Sequence, residues 1–153
     1  MHPQVSMHPR RSAARTVLAT AGVLMAMALT ACGHLHGSAP SPDITTVKLS
    51  AHQSYRAAVR PEFVPIPVGR LQRWTLHIDT ADGLPVDAAT ITVTGGMPQH
   101  GHGLPTSPRI TRDLGGGDHL VEGMKFNMGG WWVVRFAITS SAGTDTVTFN
   151  LSL

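Results

Sequence analysis

Nine histidines and seven methionines occur in a chain of 153 residues that holds a single cysteine. Five of them fall at spacings that could gather ligands. In Met97-Pro-Gln-His100-Gly-His102-Gly103, two imidazoles stand two residues apart and a thioether precedes the first by three. Extended backbone would aim His100 and His102 to the same side, and the glycines around His102 let the chain curl until several groups converge. Gly123-Met124-Lys-Phe-Asn-Met128-Gly129 adds two thioethers at strand spacing. Imidazole combined with thioether is a ligand set for copper, Cu(I) above all, because soft sulfur discriminates against magnesium and calcium. Cysteine-free sites of this kind also suit an oxidising compartment, where thiolates are lost to disulfides.

The same residues also read as packing. Phe126 lies between Met124 and Met128, so all three could fill core on one face, a common use of methionine. His100 and His102 could cap turns in a surface loop, and Met97 could plug the space before Pro98. His119, beside Asp118, is assigned to a turn, and His77 to a solvated strand face. His34 and His36 are read as solvated residues that could also catch a metal.

Catalytic constellations are missing from the sequence. A cupin-type site opens with His-x-His but needs a nearby glutamate, and Pro105, Thr106 and Ser107 occupy that stretch. No Gly-x-Ser-x-Gly elbow occurs, Gly101-His-Gly103 lacks the third glycine of a dinucleotide loop, and carboxylates are scattered. The expectation is a protein that is not an enzyme.

Elements must hold this loop in place, and their pattern is that of short strands. Charged residues make up 14% of the chain, with sixteen glycines and eleven prolines, which argues against a helical bundle. Alternation predicts one face of Val47 and Leu49 and another of Trp74, Leu76 and Ile78. Ala89, Ile91 and Val93 should face inward from a strand ending at Thr94. Trp132, Val134, Phe136 and Ile138 should be buried, with Trp131, Val133 and Arg135 more exposed. Val147, Phe149, Leu151 and Leu153 close the series. The fold expected is all-β, an immunoglobulin-like β-sandwich of about seven strands.

Ahead of the domain, residues 1–16 carry Arg10, Arg11 and Arg15, and an uncharged, mostly apolar stretch follows from Val17 to Thr30. That is the form of a secretory signal, short for a membrane span of about 20 residues. Leu29-Thr30-Ala31-Cys32 resembles the lipobox of bacterial lipoproteins, which makes Cys32 the expected lipidation site and divides the chain into a signal peptide (1–31), a tether (32–43) and a domain (44–153). The formal charge of +3 is confined to the leader, because from Cys32 onward nine basic residues balance nine acidic ones. No nucleic-acid partner is expected. The chain is expected to be exported and held at the cell envelope by lipid, facing the periplasm. Gly33 in place of aspartate allows outer-membrane sorting.

Several segments together resemble the YtkA-like domain, related to the FixH family. They are Pro85-Val-Asp-Ala-Ala-Thr-Ile-Thr-Val93, the Met97 to Gly103 loop, Pro108-x-Ile-Thr111, Val121-x-Gly-Met-x-Phe-x-Met128 and Gly130-Trp-Trp132. The resemblance implies an exported or membrane-anchored β-sandwich. FixH-like members are implicated in copper supply or cytochrome oxidase assembly; a lipobox in place of a lasting transmembrane anchor weighs against a direct assembly role. The function expected is a lipid-anchored extracytoplasmic copper chaperone or buffer. Its ligands would be His100, His102 and Met97 with Met124 or Met128, and its partner a copper-receiving envelope protein. The rival is a metal-free immunoglobulin-like interaction module with Trp131 as partner-binding anchor. A third reading is small-ligand binding at the loop end.

Overall fold

The computed structural model describes residues 41–153, so the leader, Cys32, His34, His36 and most of the tether lie outside the described residues. Nine strands follow: β1 (Val47–Leu49), β2 (Tyr55–Pro61), β3 (Gln72–Thr80), β4 (Thr90–Met97), β5 (His102–Gly103), β6 (Arg109–Gly115), β7 (Asp118–Met124), β8 (Trp131–Ser140) and β9 (Gly143–Ser152). Among the described residues no helix is long and apolar enough to cross a membrane. The strands run in one antiparallel path, β1-β2-β3-β7-β6-β4-β8-β9, with β5 paired onto β4. The all-β, sandwich-like expectation holds, with nine strands where about seven were expected.

The path folds into two layers because β6 and β4 are joined only at Thr92 and Arg109. On the far side its two ends approach each other. The Ala51 N–H donates to the Thr146 carbonyl at 2.9 Å, and the Asn150 amide donates to the Asp43 carbonyl at 3.1 Å. Between the layers lies a core fed by alternate residues: Trp74, Leu76 and Ile78 from β3, Trp132, Val134, Phe136 and Ile138 from β8, Val147, Phe149 and Leu151 from β9. Tyr55 seals one end, its hydroxyl donating to the Gly143 carbonyl at 2.5 Å and meeting Ser140 Oγ at 2.8 Å.

Val47 and Leu49 share a side of β1 as expected, and that side is exposed. One residue differs from the sequence expectation. Val133 points away from the core yet is buried. It lies on a central strand between Gly96 of β4 and Asn150 of β9, and the Trp131 indole donates to the Asn150 side chain at 3.1 Å.

One charge lies on the inward face of β9. Asp145 accepts the His52 N–H at 2.9 Å and the Ser54 N–H at 3.3 Å, clamping the β1–β2 turn to β9. Burial would raise its carboxyl pKa, but hydrogen bonds from Ser50 and from the backbone of Thr146, His52 and Ser54 outweigh burial and hold it well below the usual carboxylate range. A depressed folded-state pKa contributes stability above the unfolded value of about 4, and that stability is lost as pH falls through the folded pKa. Thermal melts should therefore show Asp145→Asn destabilised by roughly 1–3 kcal/mol near neutrality, with the gap to the parent narrowing in acid. A gap that stays constant across pH would contradict the clamp.

Candidate metal centre

β4 does not stop at Thr94. It continues through Gly95 and Gly96 to Met97, and these two glycines let the returning chain close over it. A Cβ on Gly95 would lie 2.6 Å from the Val133 carbonyl and 3.1 Å from the Leu104 side chain, and one on Gly96 would collide with the His102 carbonyl. β5 can therefore press against β4, which sets His102 directly opposite Met97. The intervening segment is a tight turn and not the extended run on which a common side for the histidines was expected. The His100 and Gly101 N–H groups both donate to the Met97 carbonyl, at 3.1 and 3.0 Å, and Gly101 takes a φ of +68°, a left-handed conformation that glycine adopts without steric cost.

The turn nonetheless brings the imidazoles together. Their ring centres are 5.8 Å apart and the rings are inclined at 42°. Both side chains are exposed. His102 Nδ1 lies 3.1 Å from the Gly103 carbonyl. A carbonyl can only accept, so Nδ1 is the donor in this bond, the second-nitrogen arrangement by which ligand histidines are usually oriented. The His102 ring packs edge-on to Trp132 at 5.7 Å, and Phe126 meets Trp132 at 5.2 Å.

Trp132 also places the next methionine. Its indole N–H donates to the Met128 carbonyl at 3.0 Å, so His102 and Met128 are both positioned by one buried ring. β7 ends at Met124 and residues 125–130 leave strand geometry. Met124, Phe126 and Met128 therefore do not share a face as their spacing suggested. Met128 is 38% exposed, while Met124 and Phe126 are fully buried. Met124 sits opposite Gln72 across the β3–β7 pair and serves the core. Met97 is buried as well, its methyl so close to Gly130 that a Cβ there would lie 2.9 Å away. Thus His100, His102 and Met97 share one hairpin, Met128 is tied by its backbone carbonyl to the Trp132 that His102 packs against, and Met124 belongs to the packing. Trp131 is half-buried on the outer face with its N–H satisfied by Asn150.

Among the described residues, no group of three or more His, Cys, Asp or Glu side chains could hold a metal ion. Beside the hairpin lies an open cleft of about 280 Å³ bordered by Met97, Pro98, His102, Val133 and Arg135.

The YtkA-like family model matches residues 49–137, more than half of the chain and the whole hairpin. The chain belongs to the YtkA-like family. No curated protein and no solved structure matches it. The hairpin and the Trp132 cluster both fall inside the matched span of this YtkA-like domain, whereas β9, which completes the second layer, lies beyond it.

Two histidines proved to have roles that spacing did not reveal. His119 belongs to β7 and not to the turn: it is buried, and Nε2–H donates to the Val86 carbonyl at 2.7 Å. His77 lies between two carboxylates, with Nδ1 2.7 Å from Asp118 and Nε2 3.2 Å from Asp79, and Arg60 holds the other Asp118 oxygen at 2.6 Å. Burial opposes ionisation of Asp118, but Arg60 and His77 prevail and keep its pKa below the usual range. The His77-x-Asp79 spacing was the available signal. Asp118 joins them only through the pairing of β3 with β7.

Proposed function

We propose that this YtkA-like protein is a lipid-anchored, extracytoplasmic copper-binding protein that buffers or hands over the metal without catalysis. The observation that carries the reading is the histidine hairpin. Two imidazoles sharing one ion, each at about 2.0 Å from it, place their ring centres roughly 5–6 Å apart, and His100 and His102 stand at 5.8 Å. Met128, 38% exposed, offers a thioether on the segment whose carbonyl Trp132 holds, and Met97 is the register partner of His102 across the β4–β5 pair. A shell of two imidazoles and one or two thioethers favours Cu(I) over harder cations. The resemblance to FixH-like proteins, implicated in copper supply, points the same way. The lipobox at Cys32 supplies the anchor, export follows from the leader, and a copper-receiving envelope protein is the expected partner.

A second reading is favoured by the sealing of Met97 and Met124, which fits a metal-free interaction module in which methionine only packs. Titration of the soluble domain with Cu(I), Cu(II) and Zn(II) separates the two. The copper reading expects tightest binding of Cu(I), weakened about tenfold or more by Met128→Leu and left unchanged by Met124→Leu. Equal affinity for all three ions, or binding indifferent to Met128, contradicts a thioether ligand, and no binding at all favours the module.

A further inference from the structure

The loop joining β2 to β3 presents large aliphatic side chains to solvent. Val64 is 86% exposed, Leu71 60% and Val68 47%, and Ile44, at the start of the domain, is 58% exposed. Ile44, Val64, Ile66 and Leu153 line an apolar groove of about 240 Å³. Exposed apolar surface gathered on one loop and an adjoining groove in this way marks a contact with a partner or a membrane. The loop is stiffened by Pro65 and Pro67, so little chain entropy remains to be lost when it docks. Its charges are uneven. Glu62 accepts the Arg73 guanidinium and the Arg73 backbone N–H, each at 2.9 Å, whereas Arg70 lies over the Phe63 ring at 4.0 Å. An apolar tip with a cation at its base matches the boundary between acyl chains and phosphate headgroups.

What covers this surface follows from where the chain enters. The Val59 N–H donates to the Thr46 carbonyl at 2.9 Å, so the residues before β1 run beside the end of β2 from which the loop emerges. Cys32 precedes Ile44 by twelve residues, a span that even fully stretched covers only about 40 Å. The same end carries the metal hairpin: Gly69 donates to the Phe126 carbonyl at 2.6 Å, and Gly130 and Leu153 exchange backbone hydrogen bonds. We infer that the Val64–Leu71 loop and Ile44 form a surface that dips into a phospholipid bilayer interface, turning the His100–His102 end toward the membrane. The choice of a bilayer rests on the lipid-anchor reading above, and it makes a membrane-borne protein the natural recipient of metal.

The test uses the unacylated Ala39–Leu153 fragment, which contains all nine strands and forms a compact unit by itself. Failure of the anchor reading would appear separately, as absence of labelled fatty acid on Cys32 of the full chain. Vesicles of phosphatidylethanolamine with phosphatidylglycerol are sedimented with the fragment. The expected result is measurable co-sedimentation that falls about fivefold or more in Val64→Asp plus Leu71→Asp but is unchanged in Leu84→Asp, an equally exposed aliphatic in the turn after β3, at the other end of the domain. All variants should melt with the parent, since these side chains lie outside the core. The inference is overturned if the parent fragment stays in the supernatant, if the double variant sediments like the parent, or if Leu84→Asp loses as much. Self-association abolished by the double variant without vesicle binding would assign the surface to a second copy of the chain and also overturn it.

Discussion

Phe136→Ala is expected to cost about 3–5 kcal/mol of folding stability, a large fraction of what a domain this size possesses. Phe136 has no exposed surface. It lies between Val93 of β4 and Val147 of β9 in the register of the second layer and meets the Phe149 ring edge-on at 5.9 Å. Truncation removes the transfer free energy of the ring and leaves a cavity that rigid strands on both sides cannot close. Arg135→Ala, one residue away on the exposed face, should stay within about 0.5 kcal/mol of the parent. Urea denaturation of the two variants measures the contrast, and similar midpoints would contradict the inward and outward assignment of β8.

The second large effect concerns metal. Replacing His100 and His102 together by alanine should lower copper affinity by about a hundredfold or more, comparable to the loss that even outer-shell changes can cause at metal sites. Imidazole must shed its proton to bind whereas thioether sulfur need not. The parent should therefore lose affinity as pH falls from about 7 to about 5, and the double variant should lose most of that dependence. Both side chains are exposed on the hairpin, so the melting temperature should be retained and lost binding cannot be attributed to unfolding. A double variant that binds like the parent at both pH values would remove these histidines from the site.

How much of this could be read from residues alone depended on burial. β3, β8 and β9 declare themselves because both their faces are chemically distinct: Trp74, Leu76 and Ile78 alternate with Arg73, Thr75 and His77, and the core uses every second residue. β2 follows the same rule with Tyr55, Ala57 and Val59 inward, but its central alanine mutes the signal. β6 has almost no buried face, so hydrophobic alternation has nothing to report there. β5 is two residues long and exists through its pairing with β4, a tertiary fact that no local pattern encodes. That pairing decides the candidate site. The histidine spacing was visible, but the turn that brings the rings together depends on Gly95 and Gly96 accepting a strand at close range. The methionine spacing misled at Met128 because β7 ends at Met124, so a period of two no longer applied beyond it. The Asp145 clamp and the place of Asp118 in the His77 cluster were illegible for a related reason: their partners come from segments distant in sequence.

The copper reading stands or falls on the ligand shell. X-ray absorption at the copper edge of the Cu(I)-loaded domain reads that shell directly. The account predicts imidazole nitrogen together with at least one sulfur scatterer, the sulfur contribution falling in Met128→Leu and the imidazole contribution vanishing in the double-histidine variant. A shell without sulfur, or one whose imidazole signal survives the loss of His100 and His102, would contradict it.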